Sequence, residues 1–244
     1  MPVITSICKA VVDALFPLSP AERKLFSHTP QSALRALPTA PPFSAPSVSI
    51  SRNQASAVFA YKDERVAKLI WNVKYKKSRP AIAIGGYALW CALQETETWG
   101  TSGLPRAGTA IRPEVPQVSH TSGIIPPILI PMPITTKRRR ERGYNQCELL
   151  TTEIKKLDVE NHFQVRTDIL MRVQHTSRQT LKSRTDRLES AKGIFSVDTG
   201  AVKNVSGPIV IIDDVITTGS TMKEALETLR SAGLSEVRGL SLAH

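Results

Sequence analysis

The sequence predicts an α/β protein: a parallel sheet flanked by helices, with a small helical, proline-rich extension at its N-terminal end. Three observations predict it. Runs of strand length at 128–131 and 208–212 are continuously apolar, which marks strands buried on both faces. These runs alternate with stretches of helical periodicity, the order that builds a doubly covered parallel sheet. Two carboxylates and a Thr-Gly-Ser turn follow the strongest run, at the strand end where such sheets hold ligands.

The elements follow in order. Residues 3–15 have helical apolar spacing, and Pro17 and Pro20 end the pattern. Short helices are expected at 20–27 and 30–37, the second with Thr29 as N-cap and Pro30 at its first position. Residues 38–53, with four prolines among Ser and Ala, read as a linker or extended wrap. A strand is expected at 57–61, a helix at 63–75 and another at 80–95, the last weakened by Gly85 and Gly86. Residues 96–124, rich in Gly, Thr, Ser and Pro, read as a long mobile insertion. Beyond it come strand 128–131, helix 144–157, strand 165–172, helix 178–192, strand 208–212, helix 220–232 ended by Gly233, and strand 237–242. The organisation is therefore an extension over 1–56 and a main domain over 57–244.

Composition bounds the function. With 244 residues, 41% of them apolar and 22% charged, the chain can bury a substantial core. The three cysteines, Cys8, Cys91 and Cys147, are too scattered for a disulfide framework or a four-cysteine metal site, which fits a reducing cytoplasmic setting. No apolar run approaches the roughly 20 residues of a membrane span. Lys9 and Asp13 interrupt the N-terminal apolar stretch, against a signal peptide. Secreted mini-proteins, membrane channels and coiled coils are disfavoured. The net charge of +11 favours polyanionic ligands or partners. It is unevenly placed, because residues 193–244 carry four basic and six acidic side chains. Cations that approach a ligand there must come from elsewhere in the chain.

The strongest motif runs from Ile209 to Thr221. Four apolar residues lead into Asp213 and Asp214, and Thr217, Thr218, Gly219, Ser220 and Thr221 open the next helix. Carboxylates accept hydrogen bonds from sugar hydroxyls and suit hydrated Mg²⁺. A helix N-terminus offers free N–H groups and partial positive charge to a phosphate. Neighbouring strand residues point to opposite faces, so a loop is expected to begin at Asp213 for both acids to reach one ligand. Together these make a sugar-phosphate site. No G-x-x-x-x-G-K-[ST] loop and no dinucleotide fingerprint appears.

This run resembles the motif that binds 5-phosphoribosyl 1-diphosphate (PRPP) in type I phosphoribosyltransferases. The wider pattern is similar to the ComF competence-protein family. Phe59, Ala60 and Tyr61 with Val73, Lys74 and Tyr75 carry one part of that resemblance. Pro131, Met132 and Pro133, followed by the run from Arg140 to Gln146, carry a second. Gln179 and Arg187, leading to Gly193, Ile194 and Phe195, carry a third. The resemblance covers about residues 57–244.

It implies a type I phosphoribosyltransferase fold and transfer of the 5-phosphoribosyl group to an unidentified acceptor, with pyrophosphate leaving. Asp213 and Asp214 would be the catalytic acids, holding the ribose hydroxyls directly or through Mg²⁺-bound water. Residues 217–221 would cradle the 5-phosphate. The turn at Pro131, Met132 and Pro133 would approach the pyrophosphate by its backbone, with Arg142, Asn145 and Gln146 contacting phosphates or ordering the loop. The alternatives are a DNA-uptake accessory protein that binds single-stranded DNA and a helicase partner, and a PRPP-sensing regulator. For nucleic acid the candidates are Lys74, Lys76 and Lys77 beside Tyr75, itself read as a core residue, and Arg138, Arg139 and Arg140 in a run of five cations within residues 137–142. A homodimer is left open.

Two departures matter. Many relatives carry a cysteine-rich N-terminal zinc module, but no paired cysteines occur here, so no zinc is expected. In transferases for 6-oxopurines an Asp stands where this chain has Thr217, which argues against hypoxanthine or guanine as acceptor. His28, His120, His162, His175 and His244 show no ligand spacing and read as surface or loop residues. Cys147 is expected to face the core from its helix.

Overall fold

The computed structural model describes residues 17–41, 50–51, 54–94, 126–173, 193–203 and 205–244. The helices expected at 3–15 and 178–192, the insertion at 96–124, and Gln179 and Arg187 lie outside the described residues. Five strands form one parallel sheet: β1 (Ala55–Phe59), β2 (Ile128–Pro131), β3 (Gln164–Val165), β6 (Ile209–Val215) and β7 (Val237–Ala243), in the order β1-β7-β6-β2-β3. β6 lies at the centre, and its register pairs Ile212 with Pro131 on one side and Asp213 with Ser241 on the other. All four residues of β2 are buried, as are all but the last of β6. That matches the unbroken apolar runs of the sequence. A fully buried Leu or Ile side chain contributes on the order of 2 kcal/mol, so this central pair anchors the sheet.

Helices cover both faces. On one side, α3 (Glu64–Trp71), α4 (Arg79–Gln94) and α6 (Gln146–Leu157) pack with Val210, Ile212, Leu240 and Leu242. On the other, α8 (Ser220–Ser231) packs with Ile209, Ile211 and Val237. α4 runs straight through Gly85 and Gly86. A Cβ on Gly86 would lie 2.5 Å from the Cβ of Glu153, and one on Gly85 would lie 2.8 Å from Leu150. Close approach of α4 to α6 therefore offsets the helix propensity that two glycines forfeit.

The N-terminal helices are part of the same core. α1 (Pro20–Ser27) begins with a capping box, in which Ser19 and Glu22 satisfy each other's backbone N–H groups. α2 (Pro30–Ala36) is capped by Thr29. Leu25, Ala33, Leu34 and Leu37 are buried with α3 and α4. Ala40 N–H donates to Val58 and Ala60 N–H to the Pro38 carbonyl, so residues 38–40 run alongside β1.

Three elements differ from expectation. The strand expected at 165–172 is two strands: β3 joins the main sheet, whereas β4 (Leu170–Arg172) pairs antiparallel with β5 (Phe195–Val197) as a separate ribbon. Between them Arg166 clasps Asp168 through two hydrogen bonds of 2.8 and 2.7 Å, closing a local bend. A short helix, α5 (Thr136–Arg142), occupies the cationic run. Its caps, Thr135 and the left-handed Gly143, are the usual start and stop signals of a helix. Finally, the helix expected at 63–75 changes after Trp71 into a five-residue π-helical turn, Asn72–Lys76, ended by Lys77 at φ 48°. A last short helix, α7 (Thr199–Val202), links β5 to β6. Among the described residues no helix is long and apolar enough to cross a membrane.

Candidate functional site

Parallel strands bring their carboxyl ends to one edge of the sheet, and the sequence motifs meet there. β6 and β2 are neighbours, so the segment after Pro131 lies beside the end of β6, and Met132 N–H donates to Ile212. The loop expected to begin at Asp213 does not. β6 continues through both acids to Val215, because Asp213 and Val215 remain paired with Ser241 and Ala243. The acids therefore start from opposite faces of one strand. Their carboxylates nonetheless converge with the Cys147 sulfur, since one ligand atom from each of the three lies within 4.8 Å of the others.

Both acids are buried, Asp213 at 9% exposure and Asp214 at 4%. Asp213 Oδ1 accepts from the Asp214 N–H at 2.8 Å and from the Cys147 thiol at 3.6 Å. Burial and the adjacent Asp214 charge push the Asp213 carboxyl up to about 7. Burial, reinforced by both carboxylates, pushes the Cys147 thiol well above its ordinary range. It is a neutral donor, not a nucleophile. Asp214 Oδ2 has no hydrogen-bond donor among the described residues, and Lys74 Nζ, 3.3 Å away, supplies charge alone. Two crowded carboxylates, one oxygen of which meets an ammonium but no hydrogen-bond donor, form a donor set short of positive charge. Hard oxygens of this kind fit Mg²⁺, and the protonated thiol does not.

The loop after the acids is of another character. Thr217, Thr218 and Ser220 are exposed and Thr221 is half-buried. Gly219 takes φ 76°, and α8 begins there without a side-chain cap. The amides of its first turn thus face the same edge as the acids. Gly219 is needed for a second reason, because a Cβ would lie 2.5 Å from Ile50. Ile50 is 3% exposed and props the loop from beneath. The imidazole Nδ1 of His244, at the end of β7, lies 3.0 Å from the Ile216 carbonyl and steadies the start of the loop.

The turn after β2 is ordered from within. Asn145 caps α6 through the Cys147 N–H and donates to the Met132 carbonyl at 3.0 Å. Met132 is itself buried, and both its backbone groups are taken by the protein. Gln146 is buried and accepts from Arg142 at 3.0 Å. Arg142 also lies 5.0 Å from the Tyr75 ring. Arg138, Arg139 and Arg140 are exposed on α5, with Arg139 paired to Glu148.

The set at 74–77 divides. Val66, Leu69, Ile70 and Val73 form the buried stripe of α3 and its extension, and the next position on that stripe is Lys76. Lys76 is accordingly buried, with its ammonium 5.4 Å from the Trp71 ring. Tyr75 falls off the stripe and is 52% exposed, so it is not the core residue it was expected to be. Lys77 is exposed and lies 5.6 Å from the Tyr144 ring. Lys74 alone reaches the acids.

Residues without a local signal also belong to the site. Arg172, at the end of β4, is half-buried against the Phe195 ring at 5.3 Å. Burial and Arg138 lower its affinity for its proton, while Asp213 and Glu224 partly restore it. It therefore sits in the same field as the acids. An arginine ending a strand was the only sequence trace of it. Ile50 had none beyond its place in a proline-rich stretch.

Residues 159–243, which include β6, the loop and all of β7, match the Phosphoribosyl transferase domain family. Over 120 residues the chain is 36% identical to Competence protein F of Haemophilus influenzae, an alignment covering 49% of this chain and 51% of that protein. Together these similarities support a phosphoribosyltransferase-like protein of the ComF family. It is also 33% identical over 106 residues to Competence protein ComFC of Bacillus subtilis, covering 43% of this chain and 39% of that one. With DNA utilization protein YhgH of Escherichia coli the identity is 30% over 127 residues, or 51% and 53% of the two chains. The chain thus spans about half the length, or less, of the curated relatives it matches.

Proposed function

We propose that the protein binds PRPP and transfers its 5-phosphoribosyl group to an acceptor, releasing pyrophosphate. One observation carries this reading: twin carboxylates lie in the last three residues of a central strand, and the uncapped mouth of a helix opens five residues later on the same edge. The first suits the 2- and 3-hydroxyls of a ribose, the second its 5-phosphate. As the bond from C1 to the pyrophosphate oxygen breaks, its electron pair leaves with pyrophosphate, and positive charge develops on the ribose ring. Asp213 and Asp214 stabilise that charge, and the acceptor's lone pair then bonds C1. Positioning and electrostatics account for most of such catalysis. Asn145 and Gln146 hold the neighbouring turn and Arg142 in place. Asp213 and Asp214 would hold Mg²⁺, which offsets leaving-group charge. The test is pyrophosphate release from PRPP and Mg²⁺ across a panel of bases and amines. One acceptor class is expected to release it, and Asp214→Asn to slow that release by roughly a hundredfold. Release by no acceptor would remove the transfer reaction.

A second reading draws on the relatives named for competence and DNA utilization. In it the protein serves DNA uptake, binding single-stranded DNA through the exposed Arg138 and Arg140 with Tyr75, together with a helicase partner. Its binding would weaken steeply with salt. A salt slope near zero would remove it.

A further inference from the structure

We propose that Lys74 is a built-in competitor for the divalent cation at the twin acids, so that the ion is admitted only when Lys74 is drawn off Asp214. The proposal rests on the reading of Asp213 and Asp214 as the cation-binding acids. Its starting point is the ion pair between Lys74 Nζ and Asp214 Oδ2, 3.3 Å long, at an oxygen that no donor hydrogen-bonds among the described residues. A divalent ion would need that same oxygen. An ammonium and a metal ion cannot share it closely, because like charges a few ångströms apart repel strongly in a buried site.

Lys74 does not reach the acids by accident of a long side chain. It sits in the π-helical turn Asn72–Lys76, and such turns inside helices occur frequently at functional sites. The turn is held at two points by one residue. The Tyr144 hydroxyl donates to the Val73 carbonyl at 3.1 Å and accepts from the Lys77 N–H at 3.2 Å. Burial pushes the Tyr144 phenol above its ordinary value, so the hydroxyl keeps the proton it donates. A third tie comes from Glu22, which accepts from the buried Asn72 amide at 2.7 Å. The backbone around Lys74 is thus fixed from α1 and from the Gly143–Tyr144 corner. Only the side chain is left to move, and it is 23% exposed. An anionic ligand arriving there would compete for the ammonium and leave Asp214 to the ion. Cation and anion would then enter together, and free cation alone would bind weakly.

The experiment measures Mn²⁺ binding to the ligand-free protein by electron paramagnetic resonance, for wild type, Lys74→Met, Asp214→Asn and the double variant. Lys74→Met is expected to tighten Mn²⁺ binding by about tenfold, a gain of the size one removed competing charge gives. In the Asp214→Asn background the same change is expected to have little effect. Equal Mn²⁺ affinity in wild type and Lys74→Met would overturn the proposal. So would an equal gain with and without Asp214, which would show a general field effect rather than competition at one oxygen. Should Lys74→Met fail to fold, Lys74→Gln takes its place in the cycle. A PRPP titration on the same wild-type protein separates the two readings: absence of PRPP binding would remove the proposed function, while the Mn²⁺ cycle still decides the role of Lys74.

Discussion

Asp213–Asp214 and the loop at 217–221 are close in sequence and opposite in state. The acids are buried, hydrogen-bonded by a thiol and an amide, and ion-paired to a lysine. The loop is exposed along its hydroxyls and opens an uncapped helix. Under the proposed function, a phosphate docks on the loop as it stands, whereas a ribose must first loosen the acid half. The difference teaches that one binding motif can have a ready part and a held part.

Three changes break or sharpen this comparison. The largest effect is expected at the ready half. Gly219→Val adds a Cβ at φ 76° and forces it into Ile50, so a loss of about 3 kcal/mol in urea unfolding is expected. Ile50→Ala in the same chain should recover part of that loss. No recovery would show that strain in the backbone, and not the packing beneath the loop, dominates. A smaller effect is expected where the two halves share a support. Asn145→Ala removes the α6 cap and the tether to Met132, at a cost of about 1–2 kcal/mol. An unchanged urea midpoint would mean that the turn holds itself.

The smallest effect concerns the tie behind Lys74. Burial works to raise the Glu22 carboxyl, but hydrogen bonds from Ser19 and Asn72 outweigh it, and the net shift is downward. A carboxyl lowered on folding adds stability above its unfolded value near 4.3, and that stability is lost as pH falls through the folded value. Wild type should therefore lose more stability than Glu22→Gln between about pH 6 and pH 3.5, by up to about 1 kcal/mol. Parallel pH profiles would show that this carboxylate contributes nothing through its charge.

The sheet and the acid-loop motif were legible because their signals are local. A buried strand, the acids near its end, a glycine turn and the start of a helix all lie within thirteen consecutive residues, 209–221. Apolar periodicity likewise located α4, α6 and α8. What was not legible depends on distant contacts or on small shifts in local geometry. Ile50 lies under Gly219 across 169 positions, and Lys74 meets Asp214 across 140. No spacing rule reaches so far. The strand at 165–172 looked continuous because its apolar content does not reveal the Arg166–Asp168 clasp. Tyr75 and Lys76 exchanged their expected places: the single aromatic among the lysines was read as core, while the stripe at 66, 69, 70 and 73 already pointed to 76. The cation run at 137–142 hid a helix whose two caps stood in plain view, one residue outside the run at Gly143 and two at Thr135.

The most direct test of the central claim is isothermal titration of the full chain with PRPP in the presence of Mg²⁺, set beside the variant carrying both Asp213→Asn and Asp214→Asn. Saturable one-site binding is expected in wild type, and a loss of affinity of at least a hundredfold, about 2.7 kcal/mol, in the variant. Equal affinity in the two proteins would contradict the account, because the ribose would then be held by something other than these acids.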